Sequence, residues 1–332
     1  MALYDDDIIL LGDVTAHKAK TCMGHTALRP FRWLGGKSES LKMIYEHLHS
    51  HITFVDIFGG SGTVTLSKSK SPVEVYNDAN RDLVNFMRVV RDKHKFQELI
   101  SMLPEKIEMK DIIAVAHHYN KEIKIINKKT KKITNGLELS ARFTNTVTRK
   151  KIDYLEISEH EGLLGTTEYV DSVKMACAFF VMQSTAPGDR GVHFNSTCAV
   201  RYLKKKCNAL KRKTIINKLT AVHERLQNVM ILNTSDFIKI IREFDSASTV
   251  FYVDPPYIPS SRVMTKTGDY QHEMTRSDHL TLLNELRNIK GRAIVSGYIS
   301  DEYGILEEGD LYKYYSHKIG MKIIKTESLW VK

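Results

Sequence analysis

An α/β sheet protein carrying a helical insertion is predicted by three features of this 332-residue chain. Short apolar, β-branched runs recur at 52–55, 73–76, 229–232, 249–253 and 292–295, each of a length suited to a buried strand. The first is followed by a glycine-rich turn and a helix start, the second by an acid and a helix start. Between about Arg81 and Arg225 this alternation stops, and helical, Lys-rich and Thr/Asn-rich segments replace it. The expected organisation is an extension or lid at 1–29, a sheet domain from 30–90 and 228–332, and an insertion at 91–227.

The strand at 249–253 is the most informative. It stops at Asp254-Pro255-Pro256-Tyr257. Proline has no N–H and cannot continue a ladder, so Asp254 is expected at the strand tip and Tyr257 in the loop beyond. Ligands of open α/β sheets bind off the carboxyl ends of strands. An acceptor, a rigid turn with free carbonyls and a flat ring are suited to gripping the exocyclic amino group of a base.

The chain before it supplies three further signals. Pro30 to Ser38 contains Gly35-Gly36-Lys37, a loop whose backbone can approach an anionic group. It is not a P-loop, since Phe31 stands where that motif needs glycine. Asp56-Ile57-Phe58-Gly59-Gly60-Ser61-Gly62 reads as a strand end and a ligand-approaching turn at a helix N-terminus, with spacing unlike Gly-x-Gly-x-x-Gly. Asp78 ends the second strand, where nucleoside-binding α/β folds hold ribose hydroxyls; capping the helix from Asn80 is the structural alternative.

Helices are expected at 83–99, 109–119, 171–182, 209–226 and 279–288, another from Phe237, and a helix-like run at 40–48. A hairpin is expected around Asn135-Gly136, and a closing antiparallel pair at 311–317 and 322–331. The formal charge is +10, and nine Lys/Arg against the single acid Glu224 lie between Arg201 and Arg225. With 128–132 and 149–151 this makes three basic runs in the insertion, pointing to nucleic acid. Cys22, Cys177, Cys198 and Cys207 form no Cys-x-x-Cys pair, which argues against a zinc ribbon and fits a reducing cytosol. The close histidines His47, His49 and His51 lack partners at metal-ligand spacing and read as surface or helix-end groups. No run is long enough to span a bilayer, and the acidic start (Asp5-Asp6-Asp7) is unlike a secretory signal.

Gly-Gly-Lys, the Asp-x-Phe-x-Gly-x-Gly turn, Asp78 and Asp254-Pro-Pro-Tyr, in this order, resemble the DNA adenine-N6 methyltransferase (Dam) family of alpha-class amino-methyltransferases. The resemblance runs from Phe31 to the C-terminus and includes Ser296-Gly297-Tyr298 and Glu327-Ser328-Leu329-Trp330. It implies a Rossmann-like methyltransferase with a mixed seven-stranded sheet and a DNA-recognition insertion. It implies S-adenosylmethionine as cofactor, with Trp33 and Lys37 contacting it, Lys37 at its carboxylate. Phe58, Gly60 and Gly62 would line its pocket, Asp78 would hold its ribose, and Asp236 with Phe237 would meet its adenine. Asp254 would lie between cofactor and target base, Pro255 and Pro256 would complete the turn, and Tyr257 would stack on the flipped base. Double-stranded DNA is the implied partner, with Arg32, Lys204, Lys205, Lys206, Lys211, Arg212 and Lys213 as contacts. The implied compartment is the cytoplasm of a bacterial or phage-infected cell, and a restriction partner is compatible with all of this.

Two departures are local: Ile57 stands for the family's proline and Leu34 for its alanine. A third lies in the insertion, where Gly191 to Thr197 replaces the Asn-Val-Pro-x-Gly segment, so no recognition sequence is carried over. Rival readings are a cytosine-N4 enzyme of the same class, an RNA substrate, a DNA-binding protein without catalysis, and a nicotinamide-dependent oxidoreductase.

Overall fold

The computed structural model describes residues 27–107, 172–185, 211–258, 273–308, 312–319 and 325–332. The hairpin expected at Asn135-Gly136 and the helix expected at 109–119 lie outside them.

Seven strands form one sheet in the order β3-β2-β1-β4-β5-β7-β6. They are β1 (Thr53–Asp56), β2 (Val73–Asn77), β3 (Val229–Leu232), β4 (Thr249–Val253), β5 (Arg292–Gly297), β6 (Lys313–Ile319) and β7 (Lys325–Val331). The first five run parallel, while β7 is antiparallel to β5 and to β6. This is the mixed seven-stranded α/β sheet expected. From β1 the chain order proceeds outward to β2 and β3, and β4 starts again on β1's other side. The topological switch point therefore lies between β1 and β4, and a ligand cleft is expected off their carboxyl ends.

The parallel strands read as continuous apolar runs because both faces are covered. All five residues of β4 are buried. Their side chains alternate: Phe251 and Val253 join one cluster with Leu282, Leu283 and Trp330, whereas Val250 and Tyr252 join another with Leu41, Ile44 and Phe54. A third cluster forms where α3 (Arg81–Arg91), α4 (Lys93–Met102), α5 (Ser172–Thr185) and α6 (Arg212–Leu226) meet beside β2 and β3. There the Phe86 and Phe180 rings stack 5.8 Å apart. The remaining α-helices among the described residues are α1 (Leu41–Glu46), α2 (Thr63–Ser67), α7 (Phe237–Phe244) and α8 (Arg276–Arg287).

Several element bounds differ from expectation, for local reasons. The helix expected at 83–99 is two, because Asp92 adopts an extended conformation and its carboxylate accepts from the His94 and Lys95 N–H groups, capping a new helix. The helix expected at 279–288 begins at Arg276, held by a reciprocal capping box between Thr275 and Asp278. His51, expected as a surface or helix-end group, is buried just before β1, with its ring nitrogens against the His49 carbonyl and the Ser71 hydroxyl.

The basic stretch before β3 has a mixed role. Arg225 is buried and binds both oxygens of Glu74 on β2, at 2.6 and 2.8 Å, while Lys68 Nζ completes a buried triad. Burial pushes the Glu74 carboxyl up, but its hydrogen bonds with Arg225 and its two cationic neighbours hold it below the usual range. Bidentate pairing of this kind fixes geometry, and here it fastens α6 to the sheet. Arg212 is likewise engaged with the Ile100 carbonyl and Glu105, whereas Lys211 and Lys213 are exposed at the start of α6.

Candidate active site

Two aspartates mark the switch point. Asp56 is the last residue of β1, and Asp254 follows the last residue of β4. A cavity of ≈ 410 Å³ opens beyond them, within the range of small-molecule sites. Its walls include Trp33, Lys37, Phe58, Gly60, Asp78, Phe237, Asp254, Pro255 and Pro256 from the expected set, and also Asp56, Asn77, Thr234 and Ser235.

The glycine turn after β1 is shaped by residues on both sides. Gly60 has φ +51°, and its N–H donates to Asp78 Oδ2 at 2.9 Å. A Cβ on Gly60 would stand 2.9 Å from Trp33 Cδ1, so only glycine lets the indole pack against this turn. The Tyr76 hydroxyl donates to the Gly60 carbonyl at 2.6 Å from beneath. Gly62, at φ +70°, starts α2. Asp78 does not cap the helix from Asn80, since Asn80 itself does so through the Asp82 and Leu83 N–H groups. Asp78 instead ties the ends of β1 and β2 together, accepting also from Asn80 N–H at 2.7 Å. Burial pushes its carboxyl up to about 6 against those two hydrogen bonds.

Asp254 sits in a charged nest. Its Oδ2 pairs with Lys37 Nζ at 2.6 Å, and its Oδ1 is buried with no partner among the described residues. The Lys37 ammonium also donates to the Gly35 carbonyl at 2.7 Å and lies 3.3 Å from Glu327 Oε1. An ammonium has three N–H donors, and those of Lys37 face the Gly35 carbonyl, Asp254 and Glu327. Burial pushes Asp254 up to about 6, with Lys37 drawing it down and Glu327 raising it. Burial also pushes Asp56 up to about 7, against a hydrogen bond of 2.6 Å from the Thr65 hydroxyl to Oδ2. Asp56 Oδ1 has no partner among the described residues. Burial raises three acidic groups around one cavity, which marks it as a candidate functional site.

The other expected residues are less central. Tyr257 is buried, donates to Glu327 at 2.7 Å, and packs edge-on against Tyr298 at 4.5 Å. Asp236 caps α7 by accepting from Lys239 N–H and lies away from the cavity wall; Phe237 reaches that wall, 5.9 Å from the Phe58 ring. Arg32 is exposed next to Trp33. Lys204, Lys205 and Lys206 lie outside the described residues. Asp56 and Glu327 have no role in the sequence-based expectations. Asp56 carries the same strand-tip signal as Asp254; Glu327 falls in the resembling segment Glu327-Ser328-Leu329-Trp330, but its partners lie far away in the chain, so no role could be read for it.

A seven-stranded sheet of this order, with acids at three strand tips around a small-molecule cavity, defines a Rossmann-like methyltransferase. The family model for the D12 class N6 adenine-specific DNA methyltransferases matches residues 33–122 and 115–327, and the chain belongs to that family. It is similar to the Type II methyltransferase M.MjaIII of Methanocaldococcus jannaschii, with 23% identity over 298 residues, covering 85% of this chain and 89% of that one. The protein is an adenine-specific DNA methyltransferase, and its reaction requires a methyl donor.

Proposed function

We propose that the cavity binds S-adenosylmethionine and that Asp254 presents to it the amino group of an adenine flipped out of double-stranded DNA. The observation that carries this reading is the buried Asp254 Oδ1 at the cavity wall, without a partner among the described residues while its twin oxygen is locked to Lys37. The residues present fit such a donor: the carboxyls of Asp56, Asp78 and Asp254 on the wall suit its positive charge, and Trp33, Phe58 and Phe237 offer apolar faces to its base and sulfur-bearing chain.

S-adenosylmethionine, held by the cavity residues Trp33, Lys37, Phe58 and Asp78, would supply an electrophilic methyl group on a sulfonium, with a neutral thioether as its leaving group. The chain's work is positioning. The N6 lone pair of adenine is delocalised into the ring and is a poor nucleophile. Asp254 Oδ1 accepts one N6–H and the Pro255 carbonyl the other, which lets the nitrogen pyramidalise and present its lone pair. After transfer the nitrogen carries one proton too many. Asp254, with its value near 6, is suited to take that proton and pass it to solvent. Asp78 accepts from the ribose hydroxyls with the lone pairs its backbone donors leave. Flipping costs on the order of a few kcal/mol, offset partly by stacking on the Tyr257 ring.

Residues 91–227 supply target recognition in this reading, with Arg32, Lys204, Lys205, Lys206, Lys211, Arg212 and Lys213 contacting phosphates. Among the described residues no helix is long and apolar enough to cross a membrane. The Type II designation of the archaeal relative supports a restriction partner. Titration calorimetry with S-adenosylmethionine tests the cofactor assignment: Asp78→Asn should weaken binding by about tenfold, the worth of roughly one lost hydrogen bond. Equal binding by wild type and variant would rule out Asp78 as the ribose anchor.

A further inference from the structure

Glu327 is buried on β7, the strand antiparallel to β5, and no role in the methyl transfer has been given to it. One of its oxygens, Oε1, receives the Tyr257 hydroxyl at 2.7 Å and lies 3.3 Å from Lys37 Nζ. Lys37 in turn holds Asp254 Oδ2 at 2.6 Å and stands 5.1 Å above the Tyr257 ring. A single carboxylate thus touches both the ring assigned to the flipped base and the ammonium that orients the carboxylate assigned to its amino group. These groups come from three segments: the loop before α1, the turn after β4, and β7.

We propose that Glu327 is a positioning residue of the methyl transfer, fixing the angle between the Tyr257 ring and the Asp254 carboxylate through the Tyr257 hydroxyl and Lys37. This rests on the roles proposed for Asp254 and Tyr257 in the transfer. If Glu327 is removed, Lys37 keeps Asp254 and Gly35 but loses a carboxylate neighbour, and the Tyr257 hydroxyl loses the acceptor on β7 that holds it at 2.7 Å. The grip on the amino group and the platform for the ring then no longer share a frame. Misplacement of a reacting group by about 1 Å can cost on the order of 100-fold in rate.

The charge of Glu327 acts on the same site. Among the described residues the ionisable groups facing it are Lys37, Asp254, Tyr252, Tyr257 and Tyr298, with Asp56 on the far side of Asp254. Its negative charge raises the Asp254 carboxyl and the Tyr298 hydroxyl. A neutral isostere should release Asp254 to a lower value while keeping an acceptor for Tyr257 and Lys37.

The test compares Glu327→Ala, Glu327→Gln and Tyr257→Phe. Glu327→Ala should lower kcat by about 10- to 100-fold, with KM for DNA changing less. Glu327→Gln should recover most of that rate and move the acid limb of the kcat profile to lower pH. An isotope-edited NMR titration of the Asp254 carboxyl should move in the same direction, independently of turnover. Glu327→Ala combined with Tyr257→Phe should cost less than the product of the single losses, because both cut the same link. Glu327→Ala within twofold of wild type would overturn the proposal. So would a Gln variant whose pH profile and Asp254 titration are both unmoved, a result that decides the matter even if the Ala variant does not fold. Wild-type protein that transfers no methyl to adenine would instead defeat the proposed transfer itself, leaving the NMR titration to judge the Glu327 link.

Discussion

Replacing Asp254 by Asn preserves shape and removes charge, and the surrounding geometry dictates how the amide must lie. The atom facing Lys37 Nζ at 2.6 Å has to be the amide oxygen, because an NH2 there would oppose an ammonium. The NH2 then occupies the Oδ1 position, the acceptor without a partner among the described residues. A donor would face the donor of the adenine amino group. The loss comprises one charge-assisted hydrogen bond, about 1.5–3 kcal/mol, and an opposed donor worth about 1–3 kcal/mol. Together these predict a fall in the transfer rate of roughly 10²- to 10⁴-fold, since each 1.4 kcal/mol is about tenfold. Single-turnover transfer of labelled methyl groups to DNA, with cofactor affinity measured in parallel, reads this directly. A rate for Asp254→Asn within tenfold of wild type would refute the assigned grip. A large loss of cofactor affinity with an unchanged rate at saturation would move Asp254 from the chemistry to cofactor binding.

Four other outcomes are expected. Asp56, Asp78 and Asp254 take up protons on folding, because their folded values of about 7, 6 and 6 exceed the ordinary 3.8; the ligand-free protein should therefore gain stability as pH falls from about 7 towards 5 and lose it as pH rises through that window, measured by thermal unfolding. Glu74→Gln leaves Arg225 and Lys68 buried beside a neutral amide and should cost about 3–5 kcal/mol in denaturant unfolding; a change under about 1 kcal/mol would show that the triad contributes little. Gly59→Ala drives a Cβ into the Tyr76 ring, whose hydroxyl supports the Gly60 carbonyl, so it should cost about 1–3 kcal/mol of stability and weaken methyl-donor binding by calorimetry. Changing Lys204, Lys205 and Lys206 to Glu should weaken DNA binding and lower the salt slope by about 0.9 for each phosphate no longer neutralised; an unchanged slope would make that run a solvated face.

The strand tips were legible because each is written locally. An apolar run closed by an acid and two prolines can hardly continue, and Asp254 lies where that pattern puts it. The glycine turn was legible for the same reason, and Gly60 and Gly62 do adopt positive φ. What escaped depends on pairs distant in sequence. Arg225 reads as one more cation in a basic run, yet its partner Glu74 is 151 residues away. Glu327 meets Tyr257 across 70 residues and gains a role only when β7 returns beside β5. Asp236 was legible as an acid after a strand, and the structure shows it capping α7 through Lys239 N–H. Helix limits shifted wherever a side-chain cap competed with periodicity, as at Asp92 and Thr275.

The most direct test is mass spectrometry of nucleosides from double-stranded DNA incubated with the protein and methyl-labelled S-adenosylmethionine. Label confined to N6-methyladenine is the expected result, and it would join the donor, the base and the Asp254 grip in one observation. Label in N4-methylcytosine, or no label while the cofactor is bound, would contradict it.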